Sequence, residues 1–384
     1  MTIKRALSRV LSSMRATDVF VCGGGPAGLA AAIAARLEGF DVVVADCFKP
    51  PIDKACGEGL MPDGLAALSA LGVFPPEERS GSFCGIRFVE AGRSVEARFP
   101  YGAGRGLRRT VLHEALCRRA SEAGVKFCWS TQVMDVNDGV VRTGQGEIRT
   151  KWVIGADGIQ SRIRERMGLG RGKGQGRRIG LRQHFRIRPW SEFMEIHWSD
   201  RGQAYVTPVG PEEICLVVVG RERFQSVESS LPWFPELAAR LRGAEAESSQ
   251  RGAITEARLY DRVTSGCTAL VGDASGSVDA ITGQGLALSF LQARELAAAL
   301  RKGDLNHYEK AHRRIRRVPM LMSRSMLLMD RFGPVRHWMQ RVFYRDPRIF
   351  EQMLAFHVGL SPLTAAGDRG VLRLVQQILA AQGA

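Results

Sequence analysis

The sequence predicts an α/β fold with an antiparallel sheet inserted into it and a helical C-terminus. Three observations predict it. The stretch Asp18–Asp46 reads as strand, glycine turn, helix and strand. Two later apolar strands end in a glycine followed closely by an acid, at Gly155-Ala156-Asp157 and at Gly272-Asp273. Between them, from about Ile179 to Gly220, the periodicity changes to that of short antiparallel strands.

The first stretch carries the most information. Val19, Phe20 and Val21 form an apolar run that stops at Gly23-Gly24-Gly25. Helix formers follow from Ala27 to Leu37, Gly39 ends them, and Val42–Ala45 leads to Asp46. In this G-x-G-x-x-G pattern Gly23 permits the tight turn and Gly25 lets a pyrophosphate approach the backbone. Gly28 lets the helix pack against the strand. The helix N-terminus, opened by Pro26 and Ala27, offers unpaired N–H groups and a positive dipole end to a diphosphate. Asp46 stands 18 positions after Gly28, near the spacing of an acid that binds a ribose 2′-hydroxyl. A lone glycine motif often makes only a turn. Here the strand before, the helix after and the closing acid supply the required context, and they point to a dinucleotide without separating NAD from FAD.

The chain continues with Lys54–Pro62 (KACGEGLMP), a glycine-punctuated loop whose backbone can come close to a ring system or simply turn at the surface. A helix is predicted over Asp63–Leu71, strands over Ile86–Val89 and Ser94–Phe99, and a helix over Thr110–Ala123. Asn137-Asp138-Gly139 predicts a hairpin, and Lys151–Gly155 an apolar strand. Leu181–Ile187, Met194–Trp198, Ala204–Thr207 and Ile214–Val219 predict a separate antiparallel sheet. Thr268–Asp273 returns to a buried parallel strand, and a helix follows over about Leu286–Leu300. Residues 309–355 are helical in tendency, are interrupted at Pro319 and Pro334, and hold six of the twelve methionines. The expected organisation is a basic leader at 1–17 and a discontinuous nucleotide domain at 18–82, 101–178 and 262–305. A substrate domain takes 83–100 and 179–261, and a basic helical region takes 306–384.

Composition narrows the classes. The chain has 384 residues, is 45% hydrophobic and has a formal net charge of +15. Residues 310–384 hold 13 Lys+Arg against 4 Asp+Glu, so much of the excess is C-terminal. No nucleic-acid module accompanies it, and nucleic acid is not an expected partner. No apolar run reaches the roughly 18 residues of a membrane span. The N-terminal segment lacks the apolar stretch of a secretory signal. Eight scattered cysteines form no C-x-x-C pair and no zinc spacing, so no metal is expected. This usage fits a reduced cytoplasmic protein. An Arg-laced helical cap is the simpler reading of the C-terminal region, and peripheral membrane contact is the alternative.

Together the glycine-rich βαβ unit, GADGIQSRIR and the strand ending Gly272-Asp273-Ala274 resemble the FAD-dependent oxidoreductases of the p-hydroxybenzoate hydroxylase superfamily, in that family's order. The resemblance implies a Rossmann-like FAD-binding domain with a parallel sheet, an antiparallel-sheet substrate domain and a helical C-terminus. It implies that Gly23, Gly25 and Gly28, with Pro26 and Ala27, hold the FAD pyrophosphate and Asp46 the adenosine ribose. By the same resemblance Arg109 contacts the cofactor, Val133 pairs by its backbone with the adenine region, and Asp157 belongs to the D-G motif. Asp273 binds the ribityl chain, and Gly283-Gln284-Gly285 faces the flavin pyrimidine edge. A helix N-terminus there suits the negative charge of reduced flavin. Helix capping is the competing reading of Asp157 and Asp273. NAD(P)H is the implied transient reductant, since only one full G-x-G-x-x-G is present.

Val278–Thr282 stands where the typical hydroxylase carries proline. That difference, with KACGEGLMP and AYVTPVGP (Ala204–Pro211), is more similar to the geranylgeranyl-reductase branch. The halogenase W-x-W-x-I-P signature is missing. Two chemistries follow. The first expectation is a monooxygenase that hydroxylates an aromatic, phenolic-lipid or polyketide substrate through a C4a-hydroperoxyflavin. The alternative is reduction of isoprenoid or quinone double bonds, in which Glu58 or Cys56, from the loop placed near the ring, could supply a proton. A buried thiol is the preferred reading of Cys56, and a hydrogen-bonded loop carboxylate is an equal reading of Glu58. A lipophilic small molecule is the expected partner.

Overall fold

The computed structural model describes residues 16–359. The N-terminal leader up to residue 15 and the C-terminal residues from 360 lie outside the described residues. The first sheet is parallel apart from its Thr264–Ser265 edge strand and an attached hairpin, which pair antiparallel. Its strands run in the spatial order Thr264–Ser265, Thr268–Leu270, Gly146–Gly155, Ala16–Cys22, Val42–Asp46 and Lys126–Trp129. The Ala16–Cys22 strand pairs in parallel on both sides, with Val21 opposite Val44 and opposite Ile154. Such a strand is covered on both faces, which is why Val19, Phe20 and Val21 form an unbroken apolar run and are fully buried. The strand starts at Ala16 rather than Asp18, because Ala16 and Thr17 pair with Arg149 and Thr150. A hairpin, Val133–Asn137 with Val140–Thr143, extends the Gly146–Gly155 strand.

The helix Pro26–Leu37 begins with Pro26 in its first turn after Gly25. Proline is tolerated there because the first N–H groups have no partner within the helix. This helix packs against Gly285–Lys302, and both belong to the core beneath the parallel sheet.

The second sheet is mostly antiparallel. Its order is Glu245–Ala246, Gly172–Arg186, Glu213–Gly220, Gly202–Gly210, Met194–Trp198, Gly85–Glu90 and Arg93–Arg98, with Arg251–Tyr260 also paired to Gly172–Arg186. One pair is parallel, Met194–Trp198 with Gly85–Glu90. Here two strands from far upstream join the later block, so distant parts of the chain share one sheet.

Helices Leu305–Ile315, Arg317–Arg331, Gly333–Arg345 and Pro347–His357 follow. Pro319 lies inside the second of these, in its first turn, where it breaks no internal hydrogen bond. Pro334 opens the third. The last helices are pinned to the second sheet by aromatic packing. The Phe88 ring lies 4.5 Å from Phe350, which stacks on Phe343 at 4.9 Å. Met322, Met326, Met329 and Met353 fill the gaps between them.

Candidate active site

Two helix N-termini converge on one cavity of about 340 Å³. Neither the Pro26–Leu37 helix nor the Gly285–Lys302 helix has a side-chain cap, so their first N–H groups are available to a ligand. Gly25 lies at the first terminus, and a Cβ built on it meets nothing within 4 Å. Gly283 and Gly285 lie at the second, and Gly283 takes the left-handed conformation at φ 65°. The glycine loop between them is rigidly braced. A Cβ on Gly28 would stand 1.8 Å from the Gly23 carbonyl oxygen, and one on Gly23 would stand 2.4 Å from that of Ala156. His113 Nε2 meets the Gly24 carbonyl at 2.9 Å, and the Asp46 carboxylate accepts the Gly24 N–H at 2.7 Å.

The cavity wall gathers Gly25, Pro26 and Ala27, Cys56 and Glu58, Arg109, Asp273, Gly283 and Gly285. These come from five separate stretches of chain. Asp273 lies open to this cavity and has no hydrogen-bond partner for its carboxylate among the described residues. Enclosure raises its pKa above the ordinary carboxylate value, and Arg109 and Lys54 pull it back down. The buried Nε of Arg109 also lacks a partner. An unpartnered carboxylate, an unpartnered guanidinium nitrogen, an open glycine cradle and two uncapped helix ends fit a ligand carrying both a diphosphate and hydroxyl groups. FAD is such a ligand.

The remaining sequence-selected residues lie behind that wall. Asp46 also accepts the Phe48 N–H at 2.8 Å. Val133 opposes Thr143 at a register shift in the hairpin. One oxygen of Asp157 accepts the N–H groups of Arg162 and Ile163 at 2.7 and 3.2 Å, a capping role, while the other is buried without a partner. Gln284 turns its side chain away and donates to the His357 carbonyl at 2.5 Å.

Glu58 is buried, and it holds a left-handed backbone at φ 60°. Its carboxylate accepts the Arg109 N–H at 2.8 Å and meets His184 Nε2 at 2.6 Å. The tautomer of His184 follows from its neighbours. Arg182 can only donate, and its guanidinium lies 3.0 Å from Nδ1, while the Ser248 hydroxyl, which accepts the His184 backbone N–H, can donate to the same nitrogen at 2.8 Å. Nδ1 therefore accepts, and Nε2–H donates to Glu58. Arg182 is held in turn by Asp53 at 2.6 Å. Glu58, His184 and Cys215 bring potential ligand atoms within 4.8 Å of one another. The His184–Glu58 hydrogen bond and the guanidinium beside Nδ1 explain this cluster without a metal ion. Cys56 is half-buried, and its sulfur accepts the Glu58 N–H at 3.4 Å.

Away from the helix ends the cavity becomes an apolar chamber. Ile86, Phe88, Met194, Ile196, Val217 and Val219 line it from the second sheet. Met322, Met326, Phe350, Met353 and Leu354 line it from the C-terminal helices. Polar side chains interrupt these surfaces at Tyr205, Thr255, Glu256 and His357. Tyr205 donates to Gln203 at 2.5 Å, and burial pushes its pKa up. Burial pushes His357 down to about 4, so it is neutral at pH 7. Sequence reading missed His184, Tyr205 and His357. Only the stretch AYVTPVGP, quoted for its resemblance, contained one of them.

Comparison with known proteins agrees with this geometry. The model of the FAD binding domain family matches residues 16–320. The chain is 26% identical over 323 residues to the menaquinone reductase of Mycolicibacterium smegmatis, covering 77% of this chain and 78% of that protein. It is 28% identical over 333 residues to digeranylgeranylglycerophospholipid reductase 1 of Methanothermobacter thermautotrophicus, covering 76% and 81%. The crystal structure of a flavoprotein/dehydrogenase from Cytophaga hutchinsonii shares the fold with a TM-score of 0.80 at 20% identity, over 95% of this chain and 99% of that one. The chain belongs to the FAD binding domain family, within the p-hydroxybenzoate hydroxylase and geranylgeranyl reductase superfamily, and is an FAD-dependent oxidoreductase.

Proposed function

We propose that this enzyme reduces carbon–carbon double bonds in the prenyl chain of a lipid or lipoquinone. The observation that carries this reading is the chamber wall. Its sheet and helical surfaces offer mainly methionine, phenylalanine and aliphatic side chains, with Glu256 their one charged group among the described residues, which suits a flexible hydrocarbon chain better than an ionised ring. The similarity to two reductases whose names specify a quinone and a geranylgeranyl lipid supports it.

Bound FAD, once reduced by NAD(P)H, would supply the hydride. The protein's part is binding, orientation and proton supply. The helix N-termini and Arg109 would hold the diphosphate, and the Asp273 carboxylate would accept from the ribityl hydroxyls. The apolar chamber excludes water and aligns the double bond. Glu58 acts in positioning rather than proton donation, because its carboxylate already accepts two N–H bonds. Cys56 is a free thiol in the cavity wall, and it is our assignment for the proton that completes the second C–H bond. Cys56→Ala should slow oxidation of the reduced enzyme by substrate while leaving FAD affinity unchanged. Equal rates in the two proteins would remove the thiol from the mechanism.

Hydroxylation of a phenolic ring is the second reading. Tyr205 favours it, since it places one hydroxyl group in the wall where a ring oxygen could be held. The two readings separate on oxygen. Reduction proceeds anaerobically with a prenylated acceptor, and hydroxylation does not.

A further inference from the structure

The helix Arg317–Arg331 has two working faces. One carries Met322 and Met326 into the chamber wall. The other faces solvent, where Arg324 and Arg331, seven residues apart, lie on one line with exposed Leu328 between them. At the corner where this helix meets Gly333–Arg345, Phe332 and Pro334 are exposed as well. Leu328 is 48% exposed and Phe332 is 45% exposed.

Most large hydrophobic side chains of this protein are buried, so two that stand out beside each other at a helix corner are informative. Their surroundings specify the partner. Arg324 and Arg331 are both exposed, and neither has a carboxylate partner among the described residues. The Arg331 guanidinium lies over the Phe332 ring at 5.5 Å, so cation and apolar surface are presented together. An anionic bilayer suits this mixture, because arginines meet the phosphate layer while leucine and phenylalanine enter the acyl boundary.

We propose that the corner formed by Arg324, Leu328, Arg331, Phe332 and Pro334 docks the enzyme on an anionic membrane surface. The same helix that touches the bilayer then walls the chamber, which would let a lipid substrate pass from membrane to active site without crossing bulk water. This extends the lipid-substrate reading, but the binding itself is measured without turnover.

The test is co-sedimentation of the FAD-loaded full chain with vesicles of phosphatidylcholine alone or mixed with phosphatidylglycerol. The expected result is salt-sensitive binding to the mixed vesicles only. Arg324→Glu with Arg331→Glu should abolish it at least tenfold below the parent. Leu328→Ser with Phe332→Ser should weaken it, and most at high salt, where the apolar term is what remains. Flavin content and circular dichroism verify that each variant is folded. Absence of sedimentation at low salt would overturn the proposal, as would variants that bind like the parent. Binding to an acidic soluble protein with equal affinity would overturn the membrane assignment. If vesicle binding fails while prenyl substrate in detergent is still reduced, docking falls and the catalytic reading stands. If vesicle binding holds and no prenyl substrate is reduced, the reverse applies.

Discussion

Glu58 and His184 lie 126 residues apart in sequence and meet at 2.6 Å in a buried hydrogen bond. One belongs to the loop at the flavin site and the other to the second sheet, so the bond joins the two halves of the molecule. Its direction is fixed by Arg182 on the far side of the imidazole. His184→Ala would leave a buried carboxylate with one donor fewer. We expect a loss of about 1.5–3 kcal/mol, the range for hydrogen bonds to charged groups. His184→Gln, which can still donate, should lose less. Glu58→Gln should cost nearly as much as His184→Ala despite its shape, because its single carbonyl oxygen can accept only one of the two N–H groups and its NH2 must face the other. Urea denaturation midpoints check all three.

The glycines of the first turn should fail in different ways. Gly28→Ala puts a methyl against a backbone oxygen, and overpacking of that kind costs about 1–3 kcal/mol. Gly25→Val fills open space at a permitted φ of −72°. It should lose FAD while the apoprotein keeps its stability to within about 1 kcal/mol, the scale of a helix-cap substitution. Flavin absorbance and thermal melts of the two apoproteins separate these outcomes.

Asp63 supplies a pH test. Burial raises its pKa from 3.8 to about 6, and one of its oxygens has no partner. Between those values the folded state holds a proton that the unfolded state has released. Its contribution to stability is therefore present below about pH 4 and lost as pH rises through 6. Asp63→Asn should stabilise the protein at pH 7 by on the order of 2 kcal/mol, with the gain vanishing near pH 4. Melting temperatures across that range give the answer.

His312 and His357 act in the opposite sense. Burial lowers their pKa values from 6.5 to about 3 and about 4. Below pH 6.5 the unfolded state takes up protons that the folded state refuses, so stability falls with pH by up to about 1.4 kcal/mol per unit for each group. His312 also lies 3.0 Å from Ser275, near the Asp273 loop. His312→Gln should flatten the slope between pH 6 and 4 relative to the parent, as read from denaturation at each pH.

The legible parts of this molecule are those whose meaning is local. Gly23, Gly25 and Gly28 sit next to the turn, helix and strand that need them, so spacing alone placed them. The strand ends at Leu270 rather than Asp273, which lies in the short 3-10 turn Gly272–Ser275, but the apolar run just before it marks the position. His184 was not legible. Arg182 and His184 alternate with Leu181, Gln183 and Phe185, a pattern that ordinarily marks a solvent face, and here that face is buried against the distant Glu58 loop. Gln284 takes the N-cap position of the Gly285–Lys302 helix, as its place between two glycines suggests, but its side chain serves a carbonyl 73 residues away. The chamber wall was equally hidden. It takes methionines from helices whose sequence predicts only an irregular core, and sheet contacts decide which of them face inward.

The central claim is tested by anaerobic mixing of the reduced, FAD-loaded enzyme with a prenylated quinone, following flavin absorbance and the mass of the prenyl product. The account predicts reoxidation without oxygen and a product that has gained two hydrogens in its side chain. A flavin that stays reduced with every prenylated acceptor, in an enzyme that hydroxylates a phenolic substrate once oxygen is admitted, would contradict it.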